Sequence, residues 1–180
     1  MARSAILFVL TVALFLGLRF VVAPRYARDV EVRFLEHLQY IPSQGEALSE
    51  TSLARWLGDK TQSEAVSGYV FPVLFPLDVL FLICLGLLLG FASILLAERL
   101  GFLSSFPSWI WWIPPVCYMA SDIVEDTFIA AIFKSFVSLT TESFRLLSAL
   151  TAIKITSVKA AISQVAVLGA LNLLSLFVTI

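Results

Sequence analysis

The sequence predicts an all-α membrane protein, a bundle of four transmembrane helices with an amphipathic helical lid between helices 1 and 2. Of its 180 residues, 59% are hydrophobic and only 14% are charged, and the mean hydropathy is +0.95. A soluble domain averages roughly half apolar and a quarter charged side chains, so this composition is typical of a chain built for lipid. Four separate apolar runs punctuate the sequence, and one long polar segment lies between the first two.

Each apolar run reaches the roughly 20 residues that a helix needs to cross a hydrocarbon core. Because lipid offers no hydrogen-bonding partners, each run must satisfy its own backbone, which separated runs of this length do as helices. Arg3 before the first run also fits a secretory signal peptide, but the run has no convincing small-residue cleavage site, so we interpret it as an anchor. The predicted spans cover residues 4–23, 69–97, 110–133 and 152–178, which makes one membrane domain with both termini on one side.

The polar segment of residues 24–68 is predicted to form an ordered lid on the membrane surface. Apolar side chains recur at helical spacing between residues 30 and 41, with charged side chains around the rest of the helix. Ser43 and Glu46 fit a capping box after Pro42. Leu53, Trp56 and Leu57 before Gly58 then predict a second short helix that stops at the glycine.

Seven ionisable residues fall within the predicted spans, all in the leaflet that faces the lid. Asp122, Glu125 and Asp126 are spaced i, i+3 and i+4, so they share one helix face. A charge at mid-bilayer costs at least about 2.5–3.5 kcal/mol, and we therefore expect these acids to face inward and to pair with bases from other helices. The predicted charged pocket comprises Arg19, Asp78, Asp122, Glu125, Asp126, Lys154 and Lys159.

The charged pocket has two interpretations at the level of sequence. Buried ion pairs can fix which helix faces which neighbour, or the pocket can bind or pass a ligand, since ionisable groups in membranes are functional candidates by default. Carboxylates also suit hard cations, but three nearby bases favour ion pairing, so neither a metal nor a cofactor is predicted. An aspartyl dyad of Asp78 and Asp122 lacks the glycine-flanked setting of intramembrane aspartyl proteases.

Several classes of function are excluded or disfavoured by what the sequence lacks. Twelve Lys and Arg against 13 acids give a net charge of −1, which offers no basic surface for nucleic acid. No nucleophile elbow, P-loop or dinucleotide fingerprint is present, and no catalytic residue is predicted. His37 is the single histidine, has no second histidine as a zinc partner, and is interpreted as a surface residue. Cys84 and Cys117 are interpreted as small core residues.

Two further patterns concern helix packing and the membrane interface. The small residues Gly86 and Gly90 in span two, and Ala166 and Ala170 in span four, have the four-residue spacing that lets helix backbones approach closely. Aromatic rings concentrate at the level of the lipid headgroups. The predicted interfacial belt consists of Trp109, Trp111 and Trp112, before the prolines that open span three.

Three motifs in the sequence resemble landmarks of a family of small four-span bacterial membrane proteins whose function is uncharacterised. They are YVFPVLFPLDVLF at 69–81, an intramembrane D-x-x-E-[DN] formed by Asp122, Glu125 and Asp126, and T-x-x-K formed by Thr151 and Lys154. The family more often has Asn at the last position of the second motif, so Asp126 adds a negative charge. The resemblance implies a bacterial inner-membrane location and the same fold, and it brings no activity.

The expected function is non-enzymatic: a small integral membrane protein whose charged pocket serves assembly, ligand sensing or accessory work. Its expected partners are the lipid bilayer and either another membrane protein or a second copy of the chain. Transport of a small solute or of protons is the alternative, and four spans make a cramped path, so a transporter would need to oligomerise. An intramembrane lipid-modifying enzyme is the third candidate.

Overall fold

The structure, a computed structural model, describes residues 2–27, 49–103 and 105–178. All regular elements in these ranges are helical, and no strand occurs in them. Three predictions fall outside the described residues: the amphipathic helix of residues 30–41, the Ser43 and Glu46 capping box, and the surface position of His37.

The α-helices of the described ranges are α1 (Ala2–Gly17), α2 (Glu50–Gly58), α3 (Ser63–Gly68), α4 (Val79–Glu98), α5 (Ile113–Phe133) and α6 (Thr141–Val178). Wider, π-helical turns continue α1 through Leu18–Ala27. Short 3-10 turns follow at Lys60–Gln62, Gly101–Leu103 and Ser108–Trp112.

Three helical stretches of the described chain are long and apolar enough to cross a membrane. They are Ala5–Val22, Lys60–Glu98 and Thr141–Phe177. The α5 helix has 21 residues, about 31 Å at 1.5 Å per residue, but its three acids keep its composition outside that group. The structure therefore supports a helical membrane protein.

The predicted second span does not begin as a straight helix. Between Tyr69 and Asp78 the chain is kinked, and both Phe71 (φ −142°, ψ 114°) and Phe75 (φ −119°, ψ 120°) have extended backbones. Each precedes a proline, whose ring disfavours helical conformation in the residue before it. Regular helix resumes only at Val79, so Asp78 stands at the N-terminus of α4.

The α2 helix has the end that the sequence predicts, at Gly58. Ser49 caps its N-terminus through a reciprocal pair of hydrogen bonds with Ser52, which satisfies backbone donors that the first turn leaves free. Its apolar face is buried: Leu53 and Trp56 belong to one core cluster with Tyr69, Val73, Leu74, Ile129 and Leu147. The helix thus covers the ends of α5 and α6.

The longest described helix, α6, has 38 residues, or about 57 Å. It contacts α5 most extensively and α4 next, while α1 packs on α4. Roughly its first three turns, residues 141–151, precede the predicted span of residues 152–178. The Thr141 hydroxyl donates a hydrogen bond of 2.6 Å to the Glu50 carboxylate. This bond links α6 to α2.

The α5 helix ends in a Schellman motif. Ser135 has a left-handed backbone (φ 59°), Phe136 donates its N–H to the Ala131 carbonyl at 2.9 Å, and Ser135 donates to the Ile132 carbonyl at 3.0 Å. These bonds satisfy carbonyls that the last helical turn leaves free. The sharp reversal brings α6 back alongside the acidic face of α5.

Candidate functional site

The three acids of α5 lie together on its inner face. Asp122, Glu125 and Asp126 are all buried, at 2%, 1% and 0% exposure, as the i, i+3, i+4 spacing requires when one helix face packs inward. Tyr118 lies one turn earlier and is buried as well, with its hydroxyl next to Asp122. The inner face of α5 therefore carries a column of acids with a phenol above it.

Lys154 of α6 provides the positive charge for this column. Its Nζ lies 2.5 Å from Asp122 Oδ1 and 2.9 Å from Glu125 Oε2, and its side chain is 18% exposed. Charge-assisted contacts of this length are the strong ones. One ammonium thus bridges two carboxylates of the neighbouring helix.

Thr151, one turn before Lys154 on α6, supports the same carboxylate from a second direction. Its hydroxyl donates to Glu125 and lies 3.1 Å from the backbone carbonyl of Leu147. Thr151 is buried, at 2% exposure. The T-x-x-K pattern therefore places both polar groups of α6 on Glu125, a role for Thr151 that sequence reasoning did not assign.

Asp78 adds a fourth carboxylate from the N-terminus of α4. One oxygen of Asp78, one of Asp122 and one of Asp126 all lie within 4.8 Å of one another. The carboxyl groups of Asp78 and Asp126 lie at hydrogen-bonding distance from each other. The charged cluster, as we call Asp78, Asp122, Glu125, Asp126 and Lys154, thus joins three helices and has four acids for one base.

Two predicted members of the charged pocket differ from this cluster in their burial. The side chains of Arg19 and Lys159 are exposed, whereas the acids of α5 are buried. Lys159 is five residues from Lys154, which at 3.6 residues per turn places it about 140° further around α6. Its rotation about the helix therefore points it away from α5.

The glycines of α4 are packing positions, as their spacing predicts. A Cβ on Gly86 would overlap the Met119 side chain, and one on Gly90 would overlap the Trp112 ring. Both glycines therefore let α5 and the turn before it approach the α4 backbone. Ala166 and Ala170, in contrast, are exposed on α6, so they do not pack against the described helices.

The packing face of α6 is the one that carries Ala161 and Leu168, both buried. Beside them, Gln164 Nε2 donates to Ser93 Oγ at 2.8 Å and to the Trp111 carbonyl at 2.9 Å. About two turns further along α6, Asn172 Nδ2 donates to the Leu96 carbonyl at 2.9 Å. This amide network was not predicted, although polar side chains within an apolar span are a signal for the inward face.

The three tryptophans do not form one exposed belt. Trp109 is exposed at 63%, which suits an interfacial ring, but Trp111 and Trp112 are half-buried. Trp112 packs edge-on to Phe91, with ring centroids 5.2 Å apart, and covers Gly90. The prediction of small core cysteines also needs revision, because Cys84 is half-buried and Cys117 is exposed.

A cavity of about 280 Å³ lies at the end of α4 opposite Asp78. Its lining includes Ala97, Glu98, Leu103, Phe106 and Trp111. About 20 residues of α4 separate it from the charged cluster, which is about 30 Å along the helix axis. The cavity and the charged cluster are therefore separate features.

Comparisons with protein-family models, with curated proteins and with solved structures returned no match to this chain. The candidate site is accordingly defined by its own geometry.

Proposed function

We propose that this chain is an integral membrane protein in which four helices, α1, α4, α5 and α6, cross the bilayer as a bundle, with α2 and α3 on the surface. The length of α5, about 31 Å, supports a full crossing. The acids of α5 do not prevent a full crossing, because they are buried against Lys154 and away from lipid. The bacterial inner membrane is the location that the resembling motifs support.

We infer a non-enzymatic role, in which the protein senses a small ligand at the charged cluster and acts as an accessory part of a membrane assembly. The observation that carries this inference is the double contact of Lys154 with Asp122 and Glu125. A buried bridge of this kind fixes one arrangement of α5 and α6. Any ligand that competes with Lys154 for those carboxylates would change that arrangement.

The packing on the far side of the cluster supports sensing over conduction. Gly86 lies against Met119 and Gly90 against Trp112, while Gln164 joins Ser93 to the Trp111 backbone. These contacts fill the interior between the cluster and the Trp111 end of the protein. In this conformation the cluster is closed on the Trp111 side.

Transport of protons is the second candidate, and the close approach of the buried Asp126 to Asp78 favours it. Carboxylates in such positions mark proton relays in membrane proteins. A transporter would use Asp78, Asp122 and Asp126 as successive proton sites and would have to open the packing at Gly86 and Gly90.

Reconstitution of the purified protein into liposomes distinguishes the two functions. With an imposed pH gradient and a fluorescent pH probe inside, we expect the proton flux to equal that of protein-free liposomes. A pH-dependent flux that is lost in Asp122→Asn and kept in the exposed control Asp59→Asn would establish transport and overturn the sensing proposal.

A further inference from the structure

We propose that the cavity at the Trp111 end of α4 binds the ammonium group of a phospholipid headgroup of the phosphatidylethanolamine class. The cavity lies about 30 Å from the charged cluster along α4, so this second site goes beyond the sensing function and does not depend on it. Its volume is about 280 Å³, close to the lower end of the range of about 300–1,000 Å³ that small-molecule pockets span. A space of this size suits a headgroup and not a whole lipid.

The depth of the cavity in the membrane is that of the lipid headgroups. The apolar stretch Lys60–Glu98 is long enough to cross a membrane and ends at this point, and its residues Ala97 and Glu98 line the cavity. Trp109, in the connection that follows, is 63% exposed, which is typical of a ring at the membrane interface. The occupant is therefore expected to be a group that is concentrated at this interface.

The lining of the cavity favours a cation. The Glu98 carboxylate lines it, and Glu98 forms no ion pair with a described residue. The cavity also adjoins the C-terminus of α4, which is the negative end of the helix dipole. The rings of Phe106 and Trp111 belong to the same lining, and aromatic rings attract cations to their faces. Because no lysine or arginine is among the described lining residues, an ammonium group is favoured there and a phosphate is not.

The walls of the cavity are held in place without a ligand. In the connection after α4, the Leu103 N–H donates to the Leu100 carbonyl at 2.8 Å, and the Phe106 N–H donates to the Leu103 carbonyl at 3.0 Å. On the other wall, the Trp111 carbonyl accepts a hydrogen bond of 2.9 Å from Gln164 Nε2. A preorganised site loses less conformational entropy on binding, so a group as small as a headgroup can bind there.

The two charges of a zwitterionic headgroup match two successive residues of the chain. With its ammonium group in the cavity beside Glu98, the headgroup leaves its phosphate outside. Arg99, the next residue, is exposed and offers a positive charge at the same level. A primary ammonium also has hydrogens to donate to the carboxylate of Glu98 and to the hydroxyl of Ser108, another lining residue. Phosphatidylglycerol has no ammonium group and is expected to bind less tightly.

Native mass spectrometry of the full chain in mild detergent tests the site by counting bound lipids. The probes are phosphatidylethanolamine and phosphatidylglycerol with identical acyl chains, added in separate titrations. We expect one phosphatidylethanolamine per chain, bound about tenfold or more tightly than phosphatidylglycerol, which is the difference that one charge-assisted hydrogen bond makes.

Glu98→Gln is the decisive variant, and Glu64→Gln is its matched control. Both glutamates are exposed, and they lie toward opposite ends of the stretch Lys60–Glu98. Glu98→Gln should weaken phosphatidylethanolamine binding by about tenfold, whereas Glu64→Gln should bind as the wild type does. Phe106→Leu removes one ring from the lining and should weaken binding by about two- to fivefold. Size-exclusion profile and circular dichroism establish that each variant is folded.

Two results would overturn the headgroup site: equal affinity of the wild type for the two lipids, or equal affinity of Glu98→Gln and Glu64→Gln for phosphatidylethanolamine. Glycerophosphoethanolamine carries the same headgroup without acyl chains. If it bound as tightly as the lipid, the ligand would be a soluble ammonium compound and the assignment to a lipid would be wrong. None of these measurements involves the charged cluster, so they are independent of the liposome experiment.

Discussion

Lys154 is the residue on which the charged cluster depends. It is an α6 side chain that reaches two carboxylates of α5 at 2.5 and 2.9 Å, and its stem crosses the interface between those helices. Removing one partner of a buried pair leaves the other charge uncompensated, which costs more than the pair contributes. The cluster is therefore asymmetric: it tolerates neutralisation of an acid better than loss of its base.

Lys154→Met is expected to destabilise the protein by about 3–5 kcal/mol, the usual cost of breaking a buried ion pair. Methionine keeps a similar length and apolar stem, so the effect reports mainly on charge. Thermal unfolding in detergent, followed by circular dichroism, measures it. Lys159→Met is the control on the same helix, and its exposed side chain predicts a change within about 0.5 kcal/mol. Equal effects of the two variants would refute the assignment of Lys154 as the bridging base.

Thr151 gives a second test at the residue scale. Thr151→Val preserves shape and β-branching but leaves a Glu125 oxygen without its hydroxyl donor. We expect a loss of about 1–3 kcal/mol, the cost of an unsatisfied buried polar group. Thr156→Val, at an exposed position of α6, should change little in the same unfolding assay. A Thr151 variant as stable as the Thr156 variant would show that Glu125 needs only Lys154.

Sequence reasoning located the acids of α5 and included Lys154 among their possible bases. It could not choose Lys154 over Lys159. Depth along a helix follows from counting residues, and it matched Lys154 and Lys159 equally well to the acids. Rotation about the helix depends on which face packs against α5. That face is set by contacts such as Ala161 against its neighbours, which no single sequence displays.

At the scale of elements, the α4 glycines are where neighbouring side chains approach the α4 backbone closely. Gly90→Ala adds a methyl group that overlaps the Trp112 ring, and overpacking of this kind costs about 1–3 kcal/mol. Alanine gains roughly 1 kcal/mol in helix propensity, so we expect a net loss of stability, measured by thermal unfolding.

Gly169→Ala is the comparison, because nothing lies within 4 Å of the added Cβ. Only the propensity term remains there, and stability should rise by about 0.5–1 kcal/mol. If Gly90→Ala were also stabilising, the close approach of Trp112 to α4 would be wrong.

The elements show which sequence signals were sufficient. The apolar residues before Gly58 correctly predicted a short helix that ends there, and Asp59 is its C-cap. The four-residue spacing of Ala166 and Ala170 did not identify the face of α6 that packs against the described helices, because spacing alone does not indicate which helix lies opposite. The amides of Gln164 and Asn172 mark the inward face of α6 better, since a polar side chain in an apolar span must find a hydrogen bond.

At the scale of the whole molecule, polar groups divide into two levels. The charged cluster lies toward α2, and the network of Gln164, Ser93 and Asn172 lies toward the Trp111 end. The first level consists of buried charges, and the second of neutral hydrogen bonds that hold packed helices. A bundle divided in this way can change at one end while the other stays fixed, provided that α5 crosses the membrane fully.

Whether α5 crosses the membrane is testable by cysteine labelling from either side. In a background of Cys84→Ala and Cys117→Ala, Ser105→Cys reports on the connection before α5 and Ser138→Cys on the connection after it. Both positions are exposed. If α5 crosses, a membrane-impermeant maleimide should label one of them in right-side-out vesicles and the other in inverted vesicles. Labelling of both positions from the same side would show that α5 does not cross, because α5 is the helix between the two sites. The acids of α5 would then lie near the membrane surface and not within the hydrocarbon core.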